Sequence, residues 1–223
     1  MAVTGANRRP ILSLLGAPLR RSILRHYKAD SCVASTAIGK LVLDALEIPS
    51  EPISVKLMLA NAAWVARAEH EGRPPRDRAE TERWYIESGA HGIGLGIPDK
   101  DPNTHPLVNG LHLALLVDGN YLWDLSIDQA SRPQHNIVIK EPFLGDFSKS
   151  PTRAKFLKGQ AQIVWQAPGQ GIAVYSLKPR DRRYLEHVNW RADGHDILKR
   201  QAIAQEALLA LRGLYRLSAG ASQ

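Results

Sequence analysis

The stretch LHLALLVDGNYLWD, residues 111–124, has the pattern of a β-hairpin. Apolar and β-branched side chains fill the first arm, residues 111–117, and Asp-Gly-Asn follows at 118–120 as a turn. The second arm, residues 121–125, again contains strand-forming side chains. This hairpin organises the predicted fold, because it places the sheet in the middle of the chain.

The hairpin register decides which side chains share a face. If positions equidistant from Gly119 pair, Ala114 faces Asp124, and His112 lies two residues further along on the same face. The small side chain of Ala114 leaves room for a diagonal contact. The sequence therefore predicts a hydrogen bond between His112 and Asp124.

Upstream of the hairpin, residues 32–46 have the clearest helical pattern in the first half of the chain. Asp30 or Ser31 can cap this helix, which places Cys32 in its first turn, and Ile48-Pro49 ends it. The helix dipole and the unpaired amides favour a thiolate at that position, and the N–H of Cys32 points to where an oxyanion would form.

Together, Cys32, His112 and Asp124 predict a Cys-His-Asp site in which the histidine deprotonates the cysteine and the aspartate orients the imidazole. Each residue alone has a plainer interpretation. The cysteine suits a small buried hydrophobe, the histidine a hydrogen-bonded core or surface residue, and the aspartate a loop cap, with Asp128 as a rival for its role. Their order on a helix, a strand and the next strand favours catalysis.

The remaining patterns predict an α+β fold with helices before and after an antiparallel sheet. Further predicted helices cover residues 18–27, with Arg20, Arg21 and Arg25 in solvent, residues 79–88, and an amphipathic C-terminal helix at 194–217. Further predicted strands cover residues 53–66, as one or two strands, and residues 137–139, 162–165 and 172–176.

Length and composition indicate one compact domain, since 223 residues with 44% hydrophobic side chains suffice for a core. We divide it into an N-terminal helical segment (1–29), a catalytic core (30–177) and a C-terminal basic segment with a helix (178–223). The single cysteine excludes a disulfide framework and fits a reducing compartment, so we expect a cytoplasmic protein. No apolar run reaches the ~20 residues of a membrane helix, which predicts a soluble protein without a membrane partner.

Weaker signals concern ligands. A net charge of +7 is mild for a nucleic-acid binder and would suit an anionic substrate. The basic cluster at 178–183 with Arg191 is interpreted as a solvated face, with CoA-like or nucleic-acid phosphates as the functional alternative. The glycines of residues 91–96 predict a β segment that another backbone segment or a ligand can approach closely. Residues 99–109 have the composition of a polar loop. No metal site is predicted, because His91, His105 and His135 lack ligand spacing and read as solvent-side residues.

Three segments resemble a known superfamily. Asp30-Ser-Cys32, with LDALEIP at 43–49 and the strand that follows, resembles the cysteine helix and its exit in the transglutaminase-like branch of the papain-like cysteine enzymes, which also holds the arylamine N-acetyltransferases. LHLALLV at 111–117 and YLWD at 121–124 resemble the histidine and aspartate strands of that branch. The resemblance covers roughly residues 30–131.

The resemblance implies a papain-like/transglutaminase-like core, in which the Cys-bearing helix packs on an antiparallel β-sheet. It implies a thioester acyl-enzyme on Cys32 whose acyl group passes from a small-molecule or peptide donor to an amine, with no tightly bound cofactor and acyl-CoA as one candidate co-substrate. Lys28-Ala-Asp-Ser31 replaces the arginine-rich sequence of the acetyltransferases, so the donor stays open. Two alternatives also stay open: a peptidase or amidase with water as acceptor, and a catalytically silent protein that binds partners through its basic surface.

Overall fold

The computed structural model describes residues 8–28, 31–96, 110–167, 171–191 and 196–220. Within them the helices are α1 Arg8–Leu24, α2 Cys32–Ala45, α3 Ala62–Glu71, α4 Arg78–Ser88, α5 Arg153–Leu157 and α6 Ile197–Gly220. The strands are β1 Ser50–Asn61, β2 Gly92–Leu95, β3 Leu113–Val117, β4 Tyr121–Asp124, β5 Phe143–Asp146, β6 Gln162–Ala167 and β7 Gly171–Leu177. Short 3₁₀ turns cover Ile127–Ala130, Pro133–His135 and Arg183–Glu186.

The strands form one antiparallel sheet in the order β5-β4-β3-β1-β7-β6, with β2 also paired to β1. The long strand β1 joins the two halves of the sheet, because its beginning pairs with β3 and its end pairs with β7 and β2. The two outer strands approach each other through side chains, where the rings of Phe143 and Trp165 lie 5.2 Å apart. The sheet is therefore nearly closed, and the α+β prediction is confirmed.

Two hydrophobic clusters lie on opposite faces of the sheet. One contains Leu115, Trp123 and Leu125 together with apolar side chains of α1, α2 and α6. The other contains Ala114, Leu122 and aromatic side chains of β5, β6 and β7. This separation follows from strand alternation, which sends neighbouring side chains of a strand to opposite faces.

The hairpin has the predicted register. Leu115 pairs with Trp123 and Val117 pairs with Tyr121, so both pairs are centred on Gly119. Regular strand pairing begins at Leu113, one residue after His112, whose carbonyl still accepts a hydrogen bond from Val55 N at 2.9 Å. This backbone hydrogen bond fixes His112 directly before the first residue of β3.

Several predicted boundaries are wrong. α1 begins at Arg8 rather than at residue 18, and Pro18 lies inside it. The strand predicted at 53–66 ends at Asn61, because the Asn61 side chain accepts a hydrogen bond from Trp64 N and caps α3. Residues 137–139 contribute one isolated bridge, between Arg132 and Ile137, rather than a strand. The patterns also missed β5 and α5.

The other helices lie close to their predicted positions. α2, α4 and α6 cover most of residues 32–46, 79–88 and 194–217, while residues 194 and 195 lie outside the described ranges. None of the helices that the structure describes combines the length and the hydropathy needed to cross a membrane.

Candidate functional site

The predicted contact between the two arms of the hairpin is present. His112 Nε2 lies 2.8 Å from Asp124 Oδ2, and the two side chains are 1% and 0% exposed. Burial of a charged pair is costly unless both partners are satisfied by hydrogen bonds. The surroundings of this pair therefore decide what it can do.

Four groups surround the Asp124 carboxylate. One oxygen accepts from Ser126 N at 3.0 Å and lies 3.4 Å from the Ser126 hydroxyl, while the other accepts from Tyr175 Oη at 2.9 Å and from His112. Burial alone would raise the pKa of Asp124, but the His112 charge and these donors lower it below its usual value. Asp124 is thus held as a carboxylate.

Tyr175 is a site residue that the sequence patterns missed. It lies on β7, 51 residues from Asp124 along the chain, and its ring stacks on Phe143 at 5.1 Å. Burial and the Asp124 charge raise the pKa of Tyr175 well above 10, so the phenol keeps its proton and donates a hydrogen bond to the carboxylate. A strand was predicted there, but nothing local distinguishes this tyrosine from a core aromatic.

The His112 ring is strongly basic. Burial would lower the pKa of His112, but the charge and hydrogen bond of Asp124, with a contribution from the nearby Cys32, raise it to about 10. The contact with Asp124 places a proton on Nε2. Nδ1 is therefore the nitrogen left to exchange a proton with a reacting group.

A second residue that the sequence did not single out contacts that nitrogen. Gln129 Nε2 lies 2.8 Å from His112 Nδ1 and 3.5 Å from Ser126 Oγ. Gln129 belongs to the 3₁₀ turn that follows the hairpin. Its proximity in sequence to Asp124 is the one signal that could have pointed to it.

Cys32 is the first residue of α2 and is 7% exposed. Its thiol lies 3.9 Å from Leu111 O, a weak hydrogen bond. One turn later, Thr36 donates to Leu113 O at 3.3 Å, which seats α2 against the start of β3. The structure thus brings Cys32 to the strand that carries His112.

The beginning of α2 lacks the predicted serine cap. The Ser31 hydroxyl donates to Lys28 O at 2.6 Å, and its side chain makes no capping bond to the helix. The other predicted cap, Asp30, lies outside the described residues. The first-turn amides, including that of Cys32, have no acceptor within the helix, so they can donate to a developing oxyanion.

A pocket of about 530 Å³ opens beside Cys32. Its volume is in the range of small-molecule sites. Polar and apolar side chains both line this pocket, among them Tyr27, Lys28, Leu111, Gln129, His187 and Asn189. A substrate in this pocket would meet the thiol, the Gln129 amide and the first turn of α2.

The prediction that Arg20 lies in solvent is wrong. Arg20 is 3% exposed, its Nε lies 3.0 and 3.1 Å from the two oxygens of Asp128, and its Nη1 donates to Ser35 Oγ at 2.8 Å. Asp128 therefore forms an ion pair with an arginine of α1, and the aspartate that contacts His112 is Asp124. Arg20 joins α1, the helix of Cys32 and the turn of Gln129.

The weaker signals resolve as follows. Gly96 has φ +67° and a Cβ there would collide with Val55 O, so the predicted close backbone approach is confirmed. His91 and His135 are half-buried and stack at 3.9 Å instead of facing solvent separately. His105 and the whole of the predicted 99–109 loop lie outside the described residues. Among the described residues, no three His, Cys, Asp or Glu side chains cluster as a metal site would require.

The basic cluster is partly internal. Lys178 Nζ donates to Gly96 O and lies 3.5 Å from Gly110 O, while Arg183 pairs with Asp181 at 2.7 Å. Two cations of the cluster therefore bind groups of the protein itself, which corrects the interpretation of the cluster as a purely solvated face.

Compared with protein-family models, with curated proteins and with solved structures, the chain has no match in any of the three. What the site does has to be argued from its own geometry.

Proposed function

We propose that the protein is a cysteine-dependent acyl-transfer enzyme that forms a thioester on Cys32. The observation that carries the proposal is the buried 2.8 Å contact between His112 and Asp124 beside a cysteine at the beginning of a helix and a pocket. A base, an orienting carboxylate and a nucleophile in this arrangement are the components of a catalytic triad. The papain-like, transglutaminase-like relationship remains part of this proposal.

In the proposed first step, Nδ1 of His112 takes the thiol proton and Cys32 Sγ attacks the acyl carbon of an amide, ester or thioester. The carbonyl electrons move to the oxygen, which the N–H of Cys32 stabilises. As the C=O bond re-forms, the leaving group departs with the proton from His112, and a thioester remains on Cys32. An amine then attacks the thioester, loses a proton to His112, and the thiol is restored.

Asp124 orients the imidazole and stabilises its charge during these steps. Because Tyr175 and Ser126 N share the carboxylate, Asp124 keeps a fixed direction toward Nε2. Acyl-CoA is one candidate donor, and other thioesters, esters and amides are the alternatives, because each presents an acyl carbon that the thiol can attack. No tightly bound cofactor is needed for this chemistry, and we keep the cytoplasm as the proposed compartment.

The test is the pH dependence of thiol alkylation, read by intact mass. Cys32 is the only cysteine, so a single added mass reports it without ambiguity. An ordinary thiol is only about 0.3% thiolate at pH 6. We expect fast labelling at pH 6 that falls at least tenfold in His112→Ala and that also falls in Asp124→Asn.

The exposed His70→Ala on α3 is the matched control and should label like the wild type. Labelling that rises only near pH 8.5 and ignores His112→Ala would contradict the proposal and leave a binding protein. If the thiol is activated, incubation with acyl-CoA thioesters, aryl esters and peptides identifies the donor by its adduct mass. Release of that adduct by amines indicates transfer, and release by water alone indicates a hydrolase.

A further inference from the structure

The pocket beside Cys32 has a wall that takes no part in the triad. Residues 187–191, which we call the pocket wall, contribute His187 and Asn189 to the lining of the pocket. Trp190 of the same wall packs on the apolar cluster that contains Cys32. A group attached to the thiol would therefore share the pocket with the His187 and Asn189 side chains.

A buried arginine holds the backbone of the pocket wall. Arg200 of α6 is 2% exposed, and its guanidinium donates to Asn189 O and, at 2.8 Å, to Arg191 O. The His187 carbonyl accepts a hydrogen bond from Trp190 N at 2.8 Å. Because these backbone groups are already paired, the wall offers a ligand its side chains rather than its main chain.

One hydrogen bond fixes the tautomer of His187. The backbone N–H of Asn189 donates to Nδ1 of His187 at 3.1 Å, so this nitrogen carries a lone pair. A neutral imidazole has one N–H, which must then be on Nε2. Burial lowers the pKa of His187 below its usual value, which keeps the ring neutral at pH 7. His187 is therefore an uncharged donor, and Nε2 is the nitrogen left for a ligand.

The Asn189 side chain adds a second uncharged group to the wall. Among the described residues its amide has no hydrogen-bond partner, although the backbone N and O of Asn189 are both paired. Of the lining residues that the structure describes, Lys28 alone carries a formal charge at pH 7, and it is exposed. A carboxylate at the wall would lose solvation without a buried cation beside it, so the wall favours an uncharged carbonyl.

We propose that His187 is a specificity-determining residue whose Nε2–H binds an uncharged carbonyl in the chain of the acyl donor. The enzyme then prefers acyl chains with such a carbonyl over plain alkanoyl chains. A ketone and an amide are two sources of this carbonyl, and the N–H of an amide would also pair with the Asn189 side chain. The proposal rests on the function proposed above for the same site and names its donor more closely.

The test compares thioesters that share one leaving thiol and differ in the acyl chain. The 4-oxopentanoyl and N-acetylglycyl chains carry a ketone and an amide, and the succinyl chain carries a carboxylate. The 4-methylpentanoyl chain has the shape of the ketone without its oxygen. The measured quantity is kcat/KM for release of the thiol, given as the ratio of each chain to 4-methylpentanoyl. Comparison of these ratios between variants cancels the intrinsic reactivity of each thioester.

Two substitutions separate ligand binding from a structural role of the ring. His187→Gln can place an N–H near the position of Nε2 but has no acceptor at that of Nδ1, whereas His187→Asn can accept from Asn189 N but has no group at the position of Nε2. We expect His187→Asn to lower the 4-oxopentanoyl or N-acetylglycyl ratio about three- to tenfold, the effect of one neutral hydrogen bond, and His187→Gln to keep most of it. The chain whose ratio falls further identifies a ketone or an amide. The exposed His70→Asn on α3 is the matched control and should keep the wild-type ratios.

A second measurement does not depend on catalysis. In Cys32→Ala, ¹⁵N NMR of the His187 ring should show a neutral imidazole with its proton on Nε2. Addition of 4-oxopentanamide should shift the Nε2 resonance, and 4-methylpentanamide should not. The loss of these signals in His187→Gln assigns them to His187.

Equal ratios in wild type and His187→Asn would overturn the proposal. A greater loss in His187→Gln than in His187→Asn would overturn it too, since the ring would then act through its bond to Asn189 N. A ratio that falls most for the succinyl chain would assign the wall to an anionic group instead. Failure of the proposed function appears as no thiol release from any of the thioesters, and the NMR shift then still decides whether His187 binds the carbonyl.

Discussion

Replacing Tyr175 by phenylalanine removes one hydroxyl from the surroundings of the buried Asp124 and changes little else. The Tyr175 ring packs on Phe143 at 5.1 Å, with 18° between the planes, and phenylalanine can keep this stacking. The lost interaction is a 2.9 Å hydrogen bond to a fully buried carboxylate. Hydrogen bonds to charged groups contribute about 1.5–3 kcal/mol, so we expect Tyr175→Phe to lose that much free energy of unfolding at pH 7.

The pH dependence of this loss has a definite sign. The pKa of Asp124 is lowered in the folded protein, so its contribution to stability is present above the unfolded pKa of about 3.9 and disappears as the pH falls through the folded pKa. Tyr175→Phe raises the folded pKa of Asp124. The difference between wild type and variant should therefore persist from pH 7 to about pH 4 and shrink only in stronger acid.

The assay is urea unfolding followed by tryptophan fluorescence at pH 7, 5 and 3. Tyr184→Phe is the matched control: Tyr184 is 3% exposed and packs on Trp190, and its hydroxyl has no hydrogen bond to any residue that the structure describes. A Tyr175→Phe loss below about 0.5 kcal/mol at pH 7, or one equal to that of the control, would refute the argument that the phenol holds the carboxylate.

Two further substitutions test the packing around the site by the same unfolding assay. Arg20→Ala leaves Asp128 without its buried partner and should lower the free energy of unfolding by about 3–5 kcal/mol. Arg21→Ala, at the exposed neighbouring position, should change it by no more than about 0.5 kcal/mol. Equal losses in the two variants would contradict the buried ion pair. Gly39→Ala would place a Cβ 2.5 Å from Leu125 Cδ1 and should lower the free energy of unfolding by about 1–3 kcal/mol. An unchanged urea midpoint would show that α2 packs less closely on the sheet than this distance indicates.

The success of the hairpin prediction has a local physical origin. A turn of three residues between two apolar arms fixes which positions pair, and the parity of a strand then fixes the shared face. His112 and Asp124 are 12 positions apart and meet for that reason alone. The helix of Cys32 was predicted for a similar reason, since its apolar spacing and its terminal signals lie within one short segment.

The two main errors have different origins. A helical arginine is usually exposed, which predicts Arg20 in solvent, yet its partner Asp128 lies 108 residues away and no window of neighbouring residues shows it. The strand predicted through residue 66 ends at Asn61, because the Asn61 side chain caps α3 and outweighs the strand-forming Trp64 and Val65 that follow. That cap is a local signal, which the apolar composition of the segment obscured.

The sequence by itself determined the α+β class, the hairpin register and the position of Cys32 at a helix start, because each depends on contacts within about a dozen residues. Only the tertiary structure decided that α2 seats its thiol beside His112, that Tyr175 reaches Asp124 from 51 residues away, and that Gln129 covers Nδ1. These contacts form when distant elements pack on a shared sheet, and the pairing of such elements leaves no periodic pattern in the chain.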